Sequence, residues 1–143
     1  MIKFWNTYVH VRKPETRFTL FNVEVSPEFR LCIGYRHSLE KTDILEIFRV
    51  EKRSLILDSV VCESFYPGSG DRFSPAMCTI TRVGNKMVVK GMADPLRCLY
   101  LRVGEFADHY LLFNGRKVCL LEWAKPGEKL EIRVVRKLSV SMI

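Results

Sequence analysis

The sequence predicts an all-β domain, a single antiparallel β-sandwich or partly open barrel of about ten short strands. Three observations carry this. Apolar residues alternate with polar ones in run after run, as Phe29, Leu31, Ile33 and Tyr35 do against Arg30, Cys32, Gly34 and Arg36, and a period of two marks a half-buried strand. Two-residue turn signals separate the runs, with Gly84-Asn85 and Asn114-Gly115 the clearest. No stretch combines helical periodicity with both a start and a stop signal.

At 143 residues the chain is long enough to bury roughly 70% of its unfolded surface and hold a core without staples. Hydrophobic residues make up 48%, and no low-complexity tract interrupts them, which excludes a disordered chain. Five cysteines, Cys32, Cys62, Cys78, Cys98 and Cys119, stand apart inside apolar runs. That spacing suits small buried hydrophobes rather than a metal knuckle, and an odd count argues against a disulfide scaffold. Gln is absent and Asn occurs four times, a thinning of heat-labile amides that fits a thermophilic source.

Net charge is +7, and it is concentrated: six basic residues lie between Arg72 and Arg102 with only Asp94 against them. Such a sector attracts nucleic acid, anionic lipid or an acidic partner without distinguishing among them. A single-strand binder interleaves exposed aromatics with its cations, and this sector offers only Phe73 and Tyr100. A basic nucleic-acid-binding β-barrel is therefore the alternative reading rather than the first.

Residues 1–16 read as an N-terminal extension ahead of one β domain, 17–143. The apolar residues of the extension are interrupted by Lys3, Asn6, His10, Arg12 and Lys13, so no signal core or membrane span is formed and the chain reads as soluble. Strand-like runs follow at 17–25, ended by Ser26-Pro27, then at 29–36 and 44–51. For residues 39–52 a helix is the rival, since Ile44, Leu45 and Phe48 also fit helical spacing; the β-favouring Ile44, Ile47, Phe48 and Val50 decide for a strand. Ser54–Glu63 is apolar on both sides and reads as a central strand. Ser64–Pro75 is a loop by composition, whose Gly68 and Gly70 lack the context and the lysine of a phosphate loop.

A two-residue turn at Gly84-Asn85 sets Val83 opposite Lys86 and Ile80 opposite Val89, with Cys78, Ile80, Met87 and Val89 on the core face. Leu96–Val103 reads as one strand. Asn114-Gly115 sets Phe113 opposite Arg116, Leu111 opposite Val118 and His109 opposite Leu120. Leu130, Ile132, Val134 and Leu138 alternate with charges in a last strand.

The run Tyr35-Arg36-His37-Ser38-Leu39-Glu40-Lys41-Thr42, then Glu46, the Gly-x-Gly at Gly68 and Gly70, and Leu101-Arg102-Val103-Gly104-Glu105-Phe106-Ala107-Asp108-His109 carry a resemblance. From about Arg17 to about Lys137 the chain resembles the uncharacterised domain-of-unknown-function family 1850. The resemblance implies no established activity. It implies an accessory role near TAXI-type TRAP solute transporters, beside which the family's genes commonly lie, and therefore a transporter membrane or solute-binding subunit as partner. Many members look tethered through an apolar N-terminal segment, which residues before Phe18 do not supply.

The polar candidates are His37, Ser38, Thr42, Glu46, Arg102, Asp108 and His109. If the runs around them pair as hairpins, His37 and His109 each extend an apolar stripe and converge with Glu46 on a small polar pocket. Two imidazoles and a carboxylate suit zinc, but the spacing is long and no helical H-x-x-x-H fixes it, so neither a metal nor another cofactor is expected. Ser38, Thr42 and Arg102 would offer donors to a small anion. A hydrolase built on Ser38 with His109 and Asp108 lacks the G-x-S-x-G elbow, and adjacent Asp and His do not form the orienting bond. The reading is a non-enzymatic accessory or binding domain.

Overall fold

The alternating runs become strands that close as two antiparallel sheets in the computed structural model, which describes residues 1–37, 41–63, 79–91 and 95–142. Among the described residues the twelve strands are β1 (Ile2–Lys13), β2 (Phe18–Glu24), β3 (Arg30–Arg36), β4 (Asp43–Glu51), β5 (Ser54–Cys62), β6 (Thr79–Val83), β7 (Lys86–Lys90), β8 (Pro95–Leu96), β9 (Cys98–Arg102), β10 (Tyr110–Phe113), β11 (Arg116–Cys119) and β12 (Lys129–Ser141). A narrow sheet runs β2-β1-β12-β9, and a broad one β11-β10-β3-β4-β5-β7-β6 with β8 added beside β5. Neither sheet closes on itself, so the architecture is a sandwich and not a barrel.

Period-two alternation turns one side of each sheet toward the other. Val9, Val11, Leu130 and Ile132 come from the narrow sheet and Leu31, Ile33, Phe48, Leu55, Val89 and Leu111 from the broad one, all buried in one cluster. Each such side chain stabilises the fold by about 1.5–3 kcal/mol through area removed from water. Cys32, Cys62, Cys98 and Cys119 are free thiols.

Strands 29–36 and 44–51 pair as a hairpin, with Tyr35 opposite Ile44 and Ile33 opposite Glu46. Residues 43–51 are therefore strand rather than helix, and β5 lies between β4 and β7 as a central strand. Both turns set the register expected of them: Val83 faces Lys86 and Ile80 faces Val89, while Leu111 faces Val118. Asn114 and Gly115 both take positive φ, 49° and 73°, the left-handed pair that a type I′ turn requires.

Three expectations change. Residues 1–16 are not a free extension, because Ile2–Lys13 forms β1, paired along its length with β12 and in part with β2. The cations that interrupted its apolar pattern were misleading: Val9 and Val11 point inward while His10 and Arg12 take the alternate, outward positions. Leu96–Val103 is not one strand, for the chain crosses between sheets at Arg97, leaving β8 on β5 and β9 on β12. Ile80 is 46% exposed instead of buried, because β6 is an edge strand at the far side of the broad sheet, which the narrow sheet does not cover.

Candidate functional site

A cleft of about 560 Å³ opens at one end of the broad sheet, lined by Asp43, Asp108, His109, Tyr110, Lys117, Cys119, Leu121 and Glu122. Backbone pairing brings these residues together. Tyr110 pairs with Gly34 across β10 and β3, and its ring lies over the glycine where a Cβ would collide with it. The absence of a side chain at 34 therefore fixes the tyrosine as a wall of the cleft. Lys117 and Cys119 lie on the same outward face of β11, with the Lys117 ammonium 4.5 Å from the centre of the Tyr110 ring. Leu121 and Glu122 belong to a single 3-10 turn, Leu120–Glu122, that follows β11.

The segment 103–109 is held by two neighbours and by a bond of its own. Arg36 N–H donates to the Ala107 carbonyl at 2.7 Å, Leu120 N–H to the His109 carbonyl at 2.9 Å, and Gly104 N–H to His109 Nδ1 at 3.2 Å. Asp108 at φ 49° makes the sharp reversal. The half-buried His109 ring then lies 5.5 Å from that of Tyr35, centre to centre. Burial holds its pKa below the ordinary value of 6.5, so the imidazole is neutral near pH 7. With Nδ1 accepting from Gly104, the proton of the neutral ring sits on Nε2. Three carboxylates, Asp43, Asp108 and Glu122, face one ammonium, Lys117, so the cleft is locally acidic on a chain whose net charge is +7.

Asp108 and His109 are thus in the cleft wall. His37 and Thr42 sit beside that segment through the neighbouring Arg36: His37 N–H donates to the Thr42 carbonyl at 2.8 Å, and Lys41 N–H to the His37 carbonyl at 2.8 Å. Thr42 Oγ1 is buried and makes no hydrogen bond among the described residues. Glu46 lies away from the hairpin end. It is opposite Ile33, four residues before His37 and hence about 13 Å along the strand, and is 6% exposed on the core face. Arg102 is elsewhere too, on β9 of the narrow sheet, where its guanidinium donates to the Gly127 carbonyl at 2.6 Å. Ser38, Gly68 and Gly70 lie outside the described residues.

Among the described residues no three His, Cys, Asp or Glu side chains gather as a metal-binding group, so His37, Glu46 and His109 do not form one. The histidine also lacks the tautomer of a hydrolytic triad. There Nδ1 must carry the proton given to the aspartate, whereas His109 Nδ1 is an acceptor and Asp108 is its chain neighbour. Asp43, Tyr110, Lys117, Cys119, Leu121 and Glu122 were not read from the sequence as site residues. The Asn114-Gly115 turn carried a signal for two of them, since its register places Lys117 and Cys119 on the outward face opposite the buried Leu111 and Val118.

No helix among the described residues is long and apolar enough to cross a membrane. No curated protein and no solved structure matches the chain. A family model described as a domain of unknown function matches residues 31–120, a shorter span than 17–137, taking in the broad sheet with β9 and leaving out β1, β2 and β12. With well over half of its length so matched, the chain belongs to the DUF1850 family.

Proposed function

We propose that this domain is a non-enzymatic binding module, and that the cleft at the end of the broad sheet takes a small polar ligand on behalf of a TAXI-type TRAP solute uptake system. The observation that carries the binding reading is the cleft itself: about 560 Å³, with an aromatic wall, a neutral imidazole and both signs of charge around it. Clefts of this size with a few convergent polar groups are the usual seats of small ligands. The transporter setting is supported by the family resemblance.

Its charge redefines the ligand. A small anion would face Asp43, Asp108 and Glu122 without help from Arg102, which is engaged at Gly127. A solute that carries an amine or several hydroxyls suits the carboxylates, with Lys117 left for one acceptor group.

A thermal-shift screen of polar solutes tests the reading. A true ligand at a hundredfold its Kd stabilises the protein by about 2.7 kcal/mol, and Tyr110→Ala or Lys117→Ala removes that gain. Stabilisation that survives both substitutions would move the ligand elsewhere. For the partner, the expected result is co-purification with a transporter membrane subunit or solute-binding subunit, and repeated recovery of neither contradicts it. An oligonucleotide titration at low salt separates the nucleic-acid alternative, which requires binding that weakens steeply as salt rises.

A further inference from the structure

The narrow sheet carries a feature that the cleft does not use. β2 stops pairing with β1 at Tyr8, and β9 stops pairing with β12 at Arg133, yet β1 and β12 stay paired as far as Ile2 and Ser141. Ile2–Asn6 and Lys137–Ser141 therefore stand beyond the sandwich as a two-stranded ribbon, five residue pairs and about 14 Å from first to last. Apolar side chains stand on both of its faces, beside Asn6, Ser139 and Ser141 on one and Lys3 on the other. Ile2 and Phe4 point one way, Trp5, Leu138 and Val140 the other, and all five are between 43% and 56% exposed. A ribbon of this kind is poorly stabilised in water.

The cations have a definite place. Residues 1–14 and 132–143 contain no Asp or Glu. Lys3 lies near the tip, while Arg136 and Lys137 lie at the base, their charged groups 5.4 Å and 5.2 Å from the rings of Trp5 and Tyr8. Where the ribbon leaves the sandwich, a second cleft of about 380 Å³ is lined by Thr7, Val25, Ser26, Pro27, Val50, Lys52 and Arg136. It offers two cations and two hydroxyls and no carboxylate, the donor set of a phosphate site.

We infer that the β1–β12 ribbon docks on an anionic lipid bilayer, its apolar tip entering the headgroup and acyl boundary while Lys52 and Arg136 hold a lipid phosphate in the cleft at its base. A protein groove covers one face of a ribbon, whereas a bilayer covers both. A second copy would set Lys3, Arg136 and Lys137 against themselves. Single-stranded nucleic acid needs open aromatic faces, and the Trp5 ring is already attended by Arg136. Aromatic rings beside cations over an aliphatic tip are the pattern of an interfacial anchor. The inference is independent of the cleft on the broad sheet.

The test uses the full chain with Trp123→Phe, which leaves Trp5 as the only tryptophan. Mixed phosphatidylcholine–phosphatidylglycerol vesicles should sediment with the protein and shift Trp5 emission to the blue, whereas pure phosphatidylcholine should do so far less. Partitioning should fall about fivefold for each cation removed in Lys52→Asn and Arg136→Ser, and fall with added salt. Phe4→Ser with Leu138→Ser should lower it on the order of tenfold while far-UV circular dichroism stays unchanged. Three results would overturn the inference: no binding to the anionic vesicles at low salt, binding with unshifted Trp5 emission, or a Trp5 shift produced by a single-stranded oligonucleotide or a second copy of the chain but not by vesicles.

Discussion

The broad and narrow sheets bury the same kinds of side chain on their facing sides, and differ in what they do with polar groups. In the broad sheet the polar residues collect at one end, where β3, β10 and β11 give way to loops and Tyr110 can lie over Gly34. In the narrow sheet the charged residues pair across the outward face. Glu131, although 5% exposed, accepts from Arg12 and from the Cys98 thiol and lies 3.7 Å from Arg133. The lesson is that a cleft needs polar groups left facing a common space, whereas a ladder of opposite charges across neighbouring strands uses them up. The family match follows the same division, covering the broad sheet and six of the eight residues that line its cleft and leaving three of the four narrow-sheet strands outside.

The largest expected effects test whether the two sheets share one core. Phe48→Ala in the broad sheet and Ile132→Ala in the narrow sheet remove fully buried side chains and should each cost about 3–5 kcal/mol. Denaturant unfolding should stay a single transition in both. A biphasic curve for Ile132→Ala would mean that the narrow sheet unfolds by itself and that the division is one of stability as well as chemistry.

Next in size is the carboxylate ladder. Burial pushes the Glu131 pKa up, but the hydrogen bonds from Arg12 and Cys98 and the nearby guanidinium charges outweigh it and hold the carboxyl below its ordinary 4.5. A group with a depressed folded pKa contributes stability above the unfolded value and loses it as pH falls through the folded value. Glu131→Gln should cost about 1.5–3 kcal/mol at pH 7 and flatten the stability loss below about pH 4.5. Chemical denaturation at stepped pH measures both.

Smaller still are the turns. Ala at Gly115, φ 73°, should cost about 1–2 kcal/mol, because that turn fixes the register of the cleft wall. Gly84→Ala, at φ 65° beside the wholly exposed β6, should change global stability less, since that edge can open locally. Hydrogen exchange on the two hairpins distinguishes them, and equal global losses would contradict the ranking.

The smallest effect belongs to His109. Its folded pKa is lowered by burial, so the unfolded chain binds the extra proton first and stability declines as pH falls below 6.5, before Glu131 begins to titrate. His10, its pKa also lowered by burial and by the nearby Arg12, Arg133 and Lys137, adds to the same window, so His109→Gln should reduce the upper part of the decline without abolishing it and leave the lower part in place.

Much of the fold was legible because period-two alternation and turn chemistry are local. Ile33 and Phe48 on the inward side, and Asn114-Gly115 at φ 49° and 73°, follow from their neighbours alone. What was not local was missed. β1 looked like an extension, because nothing within residues 1–16 announces that β12 will cover it 120 residues later. The break at Arg97 depends on which sheet has room for each half of the run. The site was legible in part: His109 and Asp108 line the cleft, while Glu46 lies deeper under the hairpin and Arg102 stands on the other sheet. Alternation tells which side of its strand a residue faces but not how far along the sheet it comes to rest, and a pocket requires both.

The most direct test of the binding cleft is a proton NMR titration with the solute that gives the largest thermal shift, following the Cε1–H signal of His109 and the ring signals of Tyr110. A cleft at the end of the broad sheet predicts saturable shifts of both, with one midpoint, and their loss in Gly34→Ala, whose new Cβ displaces the Tyr110 ring. Saturable binding that leaves His109 and Tyr110 unmoved, or that persists unchanged in Gly34→Ala, would contradict it.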